Sequence, residues 1–215
     1  VREVGRLSNG DEYYVEEIEQ GKSVTRRLVF ASNPFSIQPE IAVAAKKKKK
    51  KRALHLASAY HSEILAGLVG FECLEDVCLV GLGGGALATA LARCSSKDAR
   101  LRVVELDPVV VEIAKNWFGF DNKRPHLVVD CVDGLTAFDK DEKLYDAVVV
   151  DVDSKDASKG MSCPPEEFVQ IEYLEKLKRS ARRLVAFNVV ARDENERRRA
   201  LTNISSVFPV VNRLR

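Results

Sequence analysis

The sequence is poor in the residues that build metal centres, disulfide frameworks and membrane spans. Three histidines are spread over 215 residues without a His-x-x-x-His or similar cluster, so a metal site is not expected. Five cysteines, Cys73, Cys78, Cys94, Cys131 and Cys163, lie scattered in mostly apolar surroundings with no Cys-x-x-Cys pair. An odd count without metal spacing reads as reduced core thiols in a cytoplasmic protein. No apolar run approaches the roughly 20 residues that span a bilayer, and no signal peptide opens the chain. A secreted disulfide scaffold and a membrane protein are therefore not expected.

What is present suits one α/β domain with a small appendage, at 46% hydrophobic and 31% charged residues. The net charge of +2 is misleading. Subtracting the seven positive charges of Lys46 to Lys51 and Arg52 leaves −5 for the rest of the chain. Adjacent cations repel and cannot pack, so residues 46–52 read as a basic linker between a region 1–45 and a domain 53–215. A tail touching nucleic acid or the ribosome is the alternative reading. No interleaved aromatic or RNA module accompanies the run, so nucleic acid is not the expected partner.

The organising stretch is Val77-Cys78-Leu79-Val80-Gly81-Leu82-Gly83-Gly84-Gly85-Ala86-Leu87. A short apolar run suits a strand buried on both faces, and a glycine-rich turn and a helix-forming segment follow it. Glycines let the backbone turn sharply and bring a ligand close to the N–H groups at a helix start. The next apolar run, Leu101 to Val104, closes on Glu105. A carboxylate there reaches ribose hydroxyls in a nucleotide-binding βαβ unit.

In chain order, residues 13–19 and 23–30 predict a β-hairpin about Gln20-Gly21-Lys22, with a further turn at Asn9-Gly10. No second hydrophobic core is visible there, so the region should pack as an appendage. Ala53 to Val69 predicts a helix with Leu54, Ala57, Ile64, Leu65 and Leu68 on one face, carrying Tyr60-His61. That pair faces either solvent or the ligand crevice. Strands follow near 77–80, 101–105, 126–129, 145–151 and 183–190. Helices are expected over 85–93, 108–117, 166–181 and 195–207, with Pro108 in a first turn after Asp107 as N-cap. Val210-Val211 reads as the start of a further strand, and the chain reads as ending short of a complete sheet.

In an open parallel sheet, ligands sit beyond the C-terminal strand ends. Those ends deliver Gly81, Gly83 and Gly84, then Glu105, then Asp133-Gly134, then Asp151-Val152-Asp153-Ser154. Asp133 either accepts from an adenine amino group or caps a short helix starting near Gly134. Asp151 leaves a buried strand and needs a partner, such as a cationic sulfonium or amine; capping of the loop around Ser154 is the bland alternative. Cys163 suits packing better than nucleophilic work, since no basic partner stands nearby.

At these residues a resemblance becomes visible. Gly-Leu-Gly-Gly-Gly, Val-Glu-Leu-Asp-Pro (104–108), Asp133-Gly134 and Tyr-Asp-Ala-Val-Val-Val-Asp (145–151) resemble the motifs of spermidine-synthase-like class I methyltransferases. Arg26-Arg27-Leu28-Val29-Phe30-x-Ser32-Asn33, Trp117-Phe118-Gly119-Phe120 and Asp151-Val152-Asp153-Ser154-Lys155-Asp156 with Gly160 to Pro165 are similar to the C-terminal domain of the methyltransferase-like protein 13 family. The likeness runs from about Tyr14 to Arg215. It implies a Rossmann-like, mostly parallel α/β sheet with helices on both faces, preceded by a small β-hairpin region. It also implies S-adenosylmethionine as cofactor, S-adenosylhomocysteine as product, and translation elongation factor 1-alpha as protein partner. In that family the C-terminal domain methylates the processed N-terminus of the elongation factor and a separate domain methylates a lysine. An α-amine is therefore the favoured acceptor. A homodimer is left open.

By resemblance, Gly81, Gly83 and Gly84 approach the methionine part, Glu105 with Leu106 the ribose side, and Asp133 with Gly134 the adenine side. Gln38 and His61 match further cofactor contacts, and Tyr60 and Asp151 match contacts to the acceptor amine. Polyamine enzymes carry Asp-Glu before Tyr-His where this chain has Leu56-Ala57, which argues against a diamine acceptor. Three rivals remain at this stage. An aminopropyltransferase would use the same rim, and a nicotinamide-dependent dehydrogenase fits Gly-x-Gly-x-x-Ala and Glu105 but leaves Asp151 without a role. A catalytically silent nucleotide-binding scaffold is the third.

Overall fold

The computed structural model describes residues 1–21, 23–34, 40–43, 59–69, 74–96, 98–140, 143–154, 156 and 158–213. The basic run, Leu54, Ala57 and Gln38 lie outside the described residues.

The N-terminal region is a four-stranded antiparallel sheet of β1 (Glu3–Arg6), β2 (Glu12–Gln20), β3 (Ser23–Phe30) and β4 (Glu40–Val43), in that order. The expected hairpin is its centre, with Gln20 opposite Ser23 and Gly21 at a φ of 62° in the turn. The outer strands were not legible as strands, because each is four residues long.

Next come α1 (Ala59–Val69), β5 (Asp76–Val80), α2 (Ala86–Cys94), β6 (Arg100–Glu105), α3 (Pro108–Phe118), β7 (Leu127–Cys131) and β8 (Tyr145–Val150). After them run β9 (Met161–Cys163), a 3-10 turn (Glu166–Val169), α4 (Ile171–Ser180), β10 (Ala181–Phe187), β11 (Val190–Ala191) and α5 (Glu194–Val207). Five of the strands form a parallel sheet in the order β10-β8-β5-β6-β7. The chain steps outward from β5 to β7, then restarts beside β5 with β8 and steps the other way. The switch point therefore lies between β5 and β8.

Every residue of β5 and β8 is buried, which is why 77–80 and 147–150 read as uninterrupted apolar runs. Alternation sends Val77 and Leu79 into one core with Ile64, Leu65 and Leu68 of α1 and the inner faces of α2 and α3. It sends Cys78 and Val80 into a second core with Phe168, Tyr173 and Leu177. Each such aliphatic side chain contributes about 1.5–3 kcal/mol relative to exposure. α3 begins as expected: Asp107 accepts from the Val109 N–H at 2.9 Å, with Pro108 in the first turn.

The N-terminal sheet packs on α3, where Leu7, Tyr13, Val15, Leu28 and Phe30 share a core with Val110, Ile113 and Phe118. Polar ties reinforce the contact. Ser8 donates to Asp107 through both its backbone N–H (2.9 Å) and its hydroxyl (2.8 Å), and Arg26 donates to the Trp117 carbonyl at 2.7 Å.

Three expectations are corrected. The helix expected over 166–181 is broken at Gln170, whose ψ of 146° is extended. Gln170 is instead the N-cap of α4, its carbonyl accepting from the N–H groups of Tyr173 and Leu174 at 3.1 and 3.0 Å, while Phe168 and Val169 of the preceding turn pack into the two cores. The strand expected over 183–190 stops at Phe187; Val190 and Ala191 pair antiparallel with β9 instead. Val210 and Val211 are exposed and form no strand, since no described strand lies beside them to pair. Among the described residues no helix is long and apolar enough to cross a membrane.

Candidate functional site

The sheet's hydrogen bonding continues one residue past the strands. The N–H of Asn188 donates to Val150 O (3.1 Å), that of Asp151 to Val80 O (2.9 Å), and that of Gly81 to Val104 O (2.8 Å). The tips Asn188, Asp151, Gly81 and Glu105 therefore stand side by side on one rim. Gly81 and Asp151 thus flank the switch point, beside which the rule for open parallel sheets places a ligand.

On the glycine side, Gly81 has a φ of 96°, and a Cβ there would overlap the carbonyl of Asp151. Only glycine accommodates both conditions. Gly83 (φ 51°) and Gly85 (φ 75°) complete the turn into α2, with Gly84 buried between them. Glu105 is 9% exposed and accepts from two backbone N–H groups, Leu82 at 3.0 Å and Asp107 at 3.1 Å. Its carboxylate thus fixes the glycine loop against the start of α3. Each oxygen retains a lone pair for a further donor.

Next along the rim, Leu106 is 68% exposed and Val132 40% exposed. These are exposed apolar side chains that follow the neighbouring strands β6 and β7. Asp133 accepts from the Leu135 N–H at 2.9 Å, so its side chain caps a run of turns and not the expected short helix. Gly134 is packed: a Cβ there would lie 2.6 Å from Val80, and its carbonyl accepts from the Tyr173 hydroxyl at 3.0 Å.

On the other side, Asp151 is the hub. The Tyr60 hydroxyl donates to its two oxygens at 3.2 and 3.1 Å, and the Asn188 amide donates to Oδ1 at 3.2 Å. His61 Nε2 lies 3.5 Å from Oδ2. His61 is 7% exposed, and its Nδ1 has no hydrogen-bond partner among the described residues. A buried unpaired imidazole nitrogen is costly unless a ligand serves it. Tyr60-His61 therefore faces the crevice, with the two rings 4.3 Å apart edge to face.

Burial, then the Asp151 carboxylate, raises the Tyr60 pKa far above the ordinary phenol value, so the hydroxyl stays a donor. Burial likewise pushes the Cys163 thiol up, with Asp151 and Asp153 adding to it. A thiol kept neutral is no nucleophile. Cys163 is 4% exposed, with Sγ 4.0 Å from Asp151 Oδ1, and forms part of the wall.

Of the candidate residues, Tyr60, His61 and Gly81 lie against Asp151, and Gly83, Gly84, Glu105 and Leu106 belong to the adjoining strand-end loops, with Asp133 and Gly134 following β7. Asn188 is a site residue that the sequence reading missed. It was enclosed in the expected strand over 183–190, although the strand-end rule that found Asp151 would have found it had that strand been ended at Phe187. A cleft of about 780 Å³ lies elsewhere, over β6 and β7 beside Arg102, Val128, Asp130 and Tyr145. Its central cation is already bound, Arg102 lying 2.7 Å from Asp130, and none of the rim residues faces it except Val132.

No family model matches the chain. The eEF1A lysine and N-terminal methyltransferase homolog of Drosophila melanogaster is 37% identical over 223 residues, covering 94% of this chain and 32% of that protein. The chain thus spans about a third of the length of the curated relatives it matches. The crystal structure of human methyltransferase-like protein 13 in complex with SAH is similar at a TM-score of 0.65 and 31% identity, over 71% of this chain and 74% of that one. The spermidine synthase of Thermotoga maritima shares the fold, at a TM-score of 0.55 and 19% identity over 96% of this chain and 70% of that one. Identity across most of the solved human domain, on a sheet whose tips converge as the shared motifs require, means that the chain belongs to the methyltransferase-like protein 13 family.

Proposed function

We propose that this chain is an S-adenosylmethionine-dependent protein N-methyltransferase whose acceptor is the N-terminal α-amine of translation elongation factor 1-alpha. The observation that carries the reading is the Asp151 carboxylate, held by Tyr60 and Asn188 beside the glycine turn that would receive the donor.

The residues present fit the cofactor. Gly81 offers a backbone cradle that a Cβ would fill. Glu105 has lone pairs left for hydroxyl donors, and Leu106 and Val132 are exposed apolar surfaces suited to an aromatic base. Bound there, S-adenosylmethionine supplies an electrophilic methyl group on a positively charged sulfur. The protein's own task is to position and desolvate the acceptor.

Asp151 accepts hydrogen bonds from the amine and orients it. Its negative charge raises the amine's pKa and so opposes deprotonation, which is why it is assigned orientation and not proton abstraction. An α-amine has a pKa near 7.7–8.0, so roughly a tenth is already neutral at pH 7. A lysine, near 10.4, would require strong tuning.

The test is calorimetry with S-adenosylhomocysteine against NAD, followed by labelled methyl transfer to elongation factor 1-alpha with a free or an acetylated N-terminus. Binding of the former ligand alone and transfer only to the free N-terminus are expected. NAD binding, or aminopropyl transfer to a diamine, would overturn the reading.

A further inference from the structure

The motif Phe30-x-Ser32-Asn33 ends β3 and lies well before the rim in sequence, yet Asn33 is among the most buried polar residues, 1% exposed. Its N–H closes the turn on Phe30 O at 3.1 Å. Its side chain does not serve that turn. The amide Nδ2 donates across the domain to the carbonyl of Ser154 at 3.3 Å, 121 positions along the chain.

Ser154 is the fixed point of the loop that carries Asp151 and Asp153. Its N–H donates to Ser162 O at 2.6 Å, and its hydroxyl accepts from the Asp156 N–H at 3.3 Å. Ser162 in turn donates to Asp153 at 3.3 Å. The loop thus closes on itself through Ser154, and Asn33 grips the remaining carbonyl from outside. A buried side-chain amide is costly unless paired, and an apolar residue would fill the same space more cheaply. Asn33 is therefore at a position where the hydrogen bond itself is needed.

A second tie reaches the other half of the rim. Ser8, in the turn after β1, donates twice to Asp107, and the Asp107 N–H donates to Glu105. The N-terminal sheet thus grips the rim at two places. One is on the glycine and Glu105 side, the other on the Asp151 side.

We propose that the N-terminal sheet is a two-point clamp on the site, with Asn33 the positioning residue for the acceptor-side loop and Ser8 the positioning residue for the donor side. The proposal rests on the methyltransferase reading above. A loop displaced by about 1 Å is enough to cost catalysis two orders of magnitude, so one hydrogen bond at its anchor is sufficient to matter.

The two arms separate by readout. In the full-length protein, Asn33→Leu, which conserves volume without the donor, and the shorter Asn33→Ser should lower kcat/KM for the elongation factor about tenfold or more. Their affinity for S-adenosylhomocysteine should be unchanged by calorimetry. Ser8→Ala should weaken S-adenosylhomocysteine and leave KM for the elongation factor unchanged. Should Asn33→Leu fail to fold, hydrogen exchange on Asn33→Ser decides: amides of residues 153–156 exchange faster while those of 81–85 keep their protection. Equal losses of both affinities in every variant, or unchanged kcat/KM and exchange in the Asn33 variants, would overturn the clamp. Wild-type protein that binds no S-adenosylhomocysteine would overturn the functional reading instead, and the exchange measurement would still judge the clamp.

Discussion

The α-carbon of Gly81 lies against the carbonyl oxygen of Asp151 so closely that any side chain on Gly81 would overlap it. The turn that would cradle the donor and the residue that would orient the acceptor are thus in direct backbone contact across the switch point. Neither half of the crevice can shift without moving the other. That contact follows from topology, since β5 and β8 are neighbours in the parallel sheet although Gly81 and Asp151 stand 70 positions apart in sequence.

Gly81→Ala should therefore damage both halves together. The substitution combines a positive φ with overlap against backbone, which has no rotamer to give way. A loss of about 1–3 kcal/mol in unfolding free energy is expected, with S-adenosylhomocysteine affinity and turnover both falling. Urea titration and calorimetry on the same preparation check it. A variant with wild-type stability would mean that the turn relaxes freely.

Asp151→Asn keeps the shape of the side chain and removes the charge. Turnover should fall about a hundredfold or more, because the acceptor loses its orienting carboxylate, while S-adenosylhomocysteine binding stays measurable. Tyr60→Phe removes one donor to that carboxylate and should cost less, about tenfold, as expected for one hydrogen bond to a charged group. Full activity in Asp151→Asn would remove it from the mechanism.

The rim was legible because each contributing strand is an apolar run ended by a glycine or a carboxylate, and alternation plus the strand-end rule needs no tertiary information. Gly81, Glu105 and Asp151 are of this kind. Asn188 was hidden because Val189-Val190 continues the apolar run past the true strand end, and only the pairing of Val190 with Cys163 shows that the sheet has been left. The break at Gln170 was hidden for a related reason: the residues on both sides of it suit a helix, and local helix preference does not register a single extended residue between them. Asn33 belonged to a recognised motif, but its partner at Ser154 is a long-range contact that no periodicity predicts.

The pH dependence of transfer should identify the acceptor. The Tyr60 phenol and the Cys163 thiol both titrate well above their ordinary ranges, through burial and neighbouring carboxylates. Raised values keep both groups neutral through the range in which an α-amine titrates, so neither contributes a limb there. kcat/KM, which reports the free acceptor and not the amine bound beside Asp151, should rise with deprotonation of the α-amine, near 7.7–8.0, and level above about pH 9. A rise continuing to about pH 10.4 would indicate a lysine acceptor.

At the opposite end of the sheet, Asp146 is 5% exposed and accepts from the N–H groups of Glu75 (2.8 Å) and Asp76 (3.1 Å). Burial alone would raise its pKa, but these two donors, with Arg183 and Arg182 nearby, outweigh burial and hold it below the ordinary carboxylate range. Asp146→Ala strands two backbone donors at the start of β5 and should cost about 1–3 kcal/mol. Because the folded-state pKa is depressed, the charge-linked part of this contribution is complete above the unfolded-state value of about 3.9 and is lost as the pH falls through the lower folded value. The difference between wild type and variant in denaturation should therefore be full at pH 7 and begin to shrink only below about pH 4, leaving what a protonated carboxyl still supplies to the two N–H groups. The difference should persist in high salt, since the backbone hydrogen bonds, unlike the arginine contacts at 3.7 and 3.8 Å, are not screened.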